Sequence, residues 1–161
     1  MEELFVRLGE LLRRQKEIVE QLCEGAEKQI GALRDGDLET LTAALQGQAG
    51  LAAELAGLED ARRATEAALE AALGLGPDAT LRELLAGAPG ELCGRLETLG
   101  EELRADLLSL RRANDMCRAM TRRALEFNAS LLQALGLGRE TTYGAGGEVR
   151  QAVPAAMNRT V

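Results

Sequence analysis

The sequence predicts an all-α protein, an elongated antiparallel three-helix coiled-coil bundle followed by a flexible C-terminal tail. Three observations carry this. Aromatic residues are only 2% of the chain, whereas cores of sandwiches, barrels and open sheets lean on aromatic and β-branched side chains. The apolar content is almost all Leu and Ala set among Glu and Arg, the composition of long helices and coiled coils. Finally, leucines recur at spacings of three, four and seven along three separate stretches, one apolar stripe per helix.

The first helix is predicted over residues 2–34. Its stripe runs Leu4, Leu8, Leu11, Leu12, Ile18, Val19, Leu22, Ala26, Ile30 and Leu33. It stops at "RDGD", where Arg34 suits a helix C-terminus, Gly36 a turn and Asp37 an N-cap. The second helix is predicted over 38–73, with Leu38, Leu41, Leu45, Gln48, Leu51, Leu55, Leu58, Thr65, Leu69 and Ala72 on one face. The step from Gln48 to Leu51 is three where a strict heptad wants four, so the seam drifts there. Gly47, Gly50 and Gly57 each weaken this helix by about 1 kcal/mol relative to Ala. "GLGPDAT" then breaks the chain, and "TLRE" is a capping-box pattern that predicts a short helical turn over about 80–86, with Thr80 as N-cap and Glu83 at N3.

The third long helix, predicted over 90–135, has the cleanest seam. From Leu92 it passes through Leu96, Leu99, Leu103, Asp106, Leu110, Ala113, Cys117, Met120, Ala124, Phe127, Leu131 and Ala134, with Asp106 as its one polar member. A seam kept up for about six heptads is coiled-coil behaviour. At 1.5 Å per residue the helix spans about 65 Å, against about 50 Å for each of the first two, so its far end is expected to overhang or pair less completely. Residues 1–135 thus form the expected bundle and 136–161 a Gly-rich tail, with too little apolar surface to offset the entropy of ordering.

Charge is distributed unevenly. The formal net charge is −7. Residues 111–161 carry eight Arg against Asp115, Glu126, Glu140 and Glu148, about +4, which leaves about −11 for the first 110 residues. An acidic body argues against general nucleic-acid binding. No apolar run is long enough to span a membrane, and the acidic start is no secretory leader, so the sequence predicts a soluble cytoplasmic protein. Cys23, Cys93 and Cys117 are far apart and suit small positions on apolar helix faces, hence free thiols in a reducing compartment.

The chemistry of catalysis is missing. There is no histidine, which removes the commonest general base and metal ligand. Glu101 and Glu102 are adjacent on a helix and point in different directions. Three separated Cys without CxxC spacing make no zinc site, and no Gly-rich loop follows a strand. The sequence therefore predicts no enzyme, catalytic residue, metal or cofactor.

Two regions admit a binding role beside a plain structural one. The arginines at 111–123 suit either the solvated flank of a coiled coil, paired with Glu on neighbours, or a docking face for an acidic partner. Asn114 and Asn128 lie beside the seam and suit register, surface or a hydrogen bond to a visiting element. The tail is either a plain terminus or a recognition segment that folds on a partner. Tyr143 is the only tyrosine, and an aromatic outside any core suits a binding anchor.

The layout resembles the FlgN family of cytoplasmic chaperones for flagellar hook-associated proteins. "LGELLRRQKEIVEQLCEGAEKQIGALRDGDLETLTAAL" looks like that family's opening, "LAAELAGLEDARRA" like its second helix, and "RRANDMCRAM", "SLLQALG" and "TTYGAGG" like its C-terminal signature. Residues 74–100 carry no matching pattern. The resemblance implies a chaperone without ATP that binds the terminal helices of the hook–filament junction proteins FlgK and FlgL. It implies cargo contacts at Leu131, Leu132 and Leu135, with Arg122 and Arg123 at the rim, and docking of Tyr143 at the cytoplasmic domain of the export-gate protein FlhA. The alternatives are a structural coiled-coil spacer that homodimerises and, from its short basic face, a membrane-surface helical protein.

Overall fold

The computed structural model describes residues 1–136 together with the backbone of 141–143 and 149–151. The flexibility expected of residues 137–140, 144–148 and 152–161 concerns positions outside that set. The fold is all-α. Helix α1 spans Glu2–Asp35, α2 Leu38–Leu73, α3 Leu81–Leu85 and α4 Gly90–Ala134. The chain divides into two compact units, Met1–Cys117 and Arg118–Val161. The only sheet among the described residues is a two-stranded ladder in the second unit. There β1 (Thr141–Tyr143) runs antiparallel to β2 (Val149–Gln151), with Tyr143 opposite Val149.

Local chemistry sets the helix ends. Gly36 takes a left-handed conformation (φ 70°) and donates its N–H to the Ala32 carbonyl, the αL stop that glycine accepts without a Cβ penalty. One residue later, Asp37 accepts from the Thr40 N–H at 3.0 Å and starts α2. At the other end of α2, Gly74 repeats the left-handed stop (φ 69°). The connection then folds back, because the Ala79 N–H donates to the Glu70 carboxylate at 2.8 Å. Thr80 and Glu83 form the full reciprocal capping box that opens α3.

In the first unit, contacts along α1 define the topology. Arg14 reaches Glu54, Gln15 reaches Glu59, and Gln29 reaches Gln48, so residue numbers fall along α2 as they rise along α1 and the pair is antiparallel. With α4 the numbers rise together: Gly9 lies against Leu96, Lys16 pairs with Glu102 at 3.6 Å, the Cys23 thiol points to the Asp106 carbonyl, and the Cys117 thiol to the Ala26 carbonyl. Helix α1 therefore lies parallel to α4 and antiparallel to α2, an up–down–up arrangement that short connections favour.

The apolar core gathers where α3 closes the bundle. Phe5, Leu8, Leu12 and Val19 of α1 meet Leu69 of α2, Leu84 and Leu85 of α3, and Leu96 and Leu103 of α4. Phe5 is 1% exposed; it is absent from the expected stripe, although it sits three before Leu8 and seven before Leu12. Gly100 permits the close seating of α3, since a Cβ there would lie 2.6 Å from the Leu81 side chain.

Toward the α1–α2 turn the packing changes character. Leu38 and Leu45, expected on the buried face of α2, are exposed, Leu38 at 74%. The contacts described between the two helices in this stretch are polar. A Cβ on Gly25 would lie only 3.0 Å from the Gln48 side chain, which hydrogen-bonds both Gln29 and the Leu22 carbonyl. Buried amides that satisfy one another in this way fix register, because a slip strands them.

A second polar tie lies midway along α1. Glu59 accepts from Arg62 on both carboxylate oxygens (3.0 and 2.7 Å), from Arg63 at 3.0 Å and from Gln15 at 3.1 Å. Arg62 above all, then Arg63 and Gln15, hold this carboxyl at about 2, against the opposing pull of burial. A depressed carboxyl contributes stability that is present above its ordinary value of 4.5 and lost as the pH falls through about 2. Glu59→Gln is therefore expected to cost about 1 kcal/mol at neutral pH and to flatten the loss of stability on acidification below pH 4.5. Urea unfolding of both proteins along an acid series checks both statements.

Candidate functional site

The stretch from Glu101 to Ala134 contains neither Gly nor Pro, so no backbone signal interrupts α4 before its end. The helix stops at Gly136, whose left-handed φ of 70° lets its N–H reach the Gln133 carbonyl at 3.0 Å. The heptad seam is likewise unbroken to Ala134, yet its burial is not. Leu96, Leu103 and Cys117 are buried and Met120 half-buried, whereas every residue from Thr121 to Gly136 is exposed. The Cys117 thiol is the last buried member of the seam, and its burial pushes its pKa up, so it stays a neutral thiol.

At about 100° per residue, Met120, Ala124, Phe127, Leu131, Ala134 and Leu135 fall in one narrow arc of the second unit's helix. Phe127 is 66% exposed, and Leu131 and Leu135 are exposed beside it. Leu125 and Leu132, seven apart, form a second ridge next to Leu135, and both are exposed. The result is a contiguous apolar strip of five large side chains, of a kind that a monomeric soluble surface seldom carries without a use.

The sequence-derived site residues are thus only partly brought together. Leu131 and Leu135 share the seam, and Leu132 stands on the adjoining ridge. Arg123 lies four residues before Phe127 and Arg122 three residues before Leu125, so the two flank opposite edges of the strip. Among the described residues none of Arg111, Arg112, Arg118, Arg122 and Arg123 forms an ion pair, so these arginines are not held by carboxylates of neighbouring helices. Tyr143 is on β1, away from the helix in sequence, and its side chain lies outside the described set. Phe127 and Leu125 were not singled out as contacts from sequence. Phe127 occupies a seam position and Leu125 a flank, and nothing in the periodicity tells a covered seam from a bare one.

Nothing at this strip supports covalent or metal chemistry: among the described residues no group of three or more Cys, Asp or Glu is placed to hold a metal ion. The arrangement offers apolar area flanked by positive charge, which is recognition chemistry. Phe127→Ala and Leu131→Ala are expected to change stability by less than about 0.5 kcal/mol, whereas Leu96→Ala costs about 2–5 kcal/mol. Denaturant midpoints of the three variants test the contrast.

Comparison with curated proteins and with solved structures gave no match. The sequence profile of the family described as FlgN protein, by contrast, matches residues 1–151. That match runs from the start of α1 through the end of β2, and by it the chain belongs to the FlgN family.

Proposed function

We propose that this chain is a cytoplasmic flagellar export chaperone whose bare α4 strip covers the terminal helices of the hook–filament junction proteins FlgK and FlgL and delivers them to the export gate. Family membership supports the flagellar chaperone role in general. The observation that carries the finer reading is the seam that continues in sequence from Cys117 to Leu135 while its side chains stand in solvent. A seam of coiled-coil spacing with no helix on it matches the amphipathic face of a client helix, read as anchors at i, i+3, i+4 and i+7.

The energetics suit a carrier that must let go. Burial of Leu125, Phe127, Leu131, Leu132 and Leu135 brings roughly 7–15 kcal/mol of gross apolar stabilisation. Loss of free motion and the ordering of an unfolded client offset a large part of that. Affinity near the micromolar range follows, with no nucleotide needed for release. Arg123 and Arg122, at the two edges of the strip, add long-range attraction for an acidic client segment and raise the association rate more than the affinity. Tyr143 serves as the anchor for the cytoplasmic domain of FlhA.

The same strip also favours a second reading, a coiled-coil spacer that homodimerises, since two antiparallel copies of one apolar seam cover each other. Titration of C-terminal fragments of FlgK and FlgL separates the two. The chaperone reading expects micromolar or tighter 1:1 binding, weakened about tenfold or more by Leu131→Asp, while Tyr143→Ala keeps cargo binding and weakens only FlhA binding. A stable dimer by light scattering that no fragment dissociates points to the spacer instead.

A further inference from the structure

In the first unit, hydrogen bonds and ion pairs join α1 to α2 and α1 to α4, and among the described residues none joins α2 to α4. Helices α2 and α4 instead wall an apolar groove of about 550 Å³ that lies over α1. Its floor holds Leu12 and Val19 of α1, 4% and 0% exposed. Ala52 and Ala56 line it from α2, and Leu107 from α4. These three wall residues are exposed, so the groove is open to solvent. Along α2 its lining runs from Ala52 to Arg62, about 15 Å at 1.5 Å per residue.

Three properties of the groove define what fits it. It is open along its length, so a guest must turn an apolar face inward and a polar face to water. Its long walls come from the interiors of helices, whose backbone groups are already bonded within each helix. A strand laid there would find no ladder partner, whereas a helix satisfies its own backbone. The alanines of the α2 wall leave room for such a helix to come close. Charge then sets its flank. On α2, Glu59 and Arg62 are closed on each other. On α4, Arg104 lines the groove, and Arg111, seven residues on, shares the helix face of Arg104 and Leu107. Both arginines are exposed, and neither forms an ion pair among the described residues.

We propose that this groove receives an amphipathic helix of a partner protein, with its apolar face on Leu12 and Val19 and acidic residues a heptad apart against Arg104 and Arg111. The guest completes a fourth helix position of the bundle, with the apolar stripe supplying affinity and the two guanidiniums supplying choice of partner and direction. The groove shares no residue with the α4 strip, so its failure leaves the chaperone reading as it stands.

The probe is a synthetic peptide of about 18 residues, too short to be fully helical alone, with Leu and Ala at heptad a and d positions and Glu on the flanks. A second peptide carries Lys in place of each Glu. Both are fluorescein-labelled and titrated at physiological salt with the full chain and three variants made at exposed positions: Ala52→Gln with Ala56→Gln, Arg104→Glu with Arg111→Glu, and Leu131→Asp. The wild type is expected to bind the Glu peptide saturably, with a gain in helical circular dichroism, and to bind the Lys peptide about tenfold or more weakly. The double Gln variant, which thickens the α2 wall, weakens the Glu peptide about tenfold. The double Glu variant inverts the preference in favour of the Lys peptide, a reversal that mere loss of structure does not produce. Leu131→Asp changes nothing. No saturation up to about 1 mM, equal binding of the two peptides by the wild type, or indifference to the wall variant overturns the proposal. Loss of binding in Leu131→Asp places the peptide on the α4 strip and overturns it as well. A dimer by light scattering that the wall variant dissolves makes a second copy of this chain the occupant, and likewise overturns it.

Discussion

Helix α1 is the element on which the first unit depends. It is covered by α2 running against it and by α4 running with it, and it supplies ten of the buried helix positions, from Phe5 to Ala32. Such a stripe is stable only while partner helices last. Helices α1 and α2 are 34 and 36 residues long and α4 is 45.

Register along α1 is held by polar groups and apolar volume together. Leucine seams slide with little penalty, since one leucine substitutes for another at the next turn. The Gln29–Gln48 pair and the Gln15–Glu59–Arg62 cluster do not. Each would leave buried amides or a carboxylate unpaired after a slip of one turn, at a cost larger than the apolar packing gained. The same cluster leaves Gln15 Oε1 buried without a hydrogen-bond donor among the described residues.

The α4 strip is apolar and edged with arginine, and its large side chains stand in solvent at coiled-coil spacing.

Periodicity and punctuation determined the all-α class, the helix spans and their stops. Gly36, Asp37, Gly74 and the Thr80–Glu83 box act within a few residues of chain, and local chemistry of that range is written in the sequence. The resemblance to the FlgN family was legible for the same reason, in short stretches of ordered spacing. Only the tertiary structure decided which apolar positions are covered. Leu38, Leu45, Phe127 and Leu131 carry the same periodicity as Leu8 and Leu96, yet stand in solvent because burial depends on what another helix brings, and that is not a property of the residue's own neighbours. The pairing of Gln15 with Glu59 was decided at that level too, by a contact 44 residues apart in sequence.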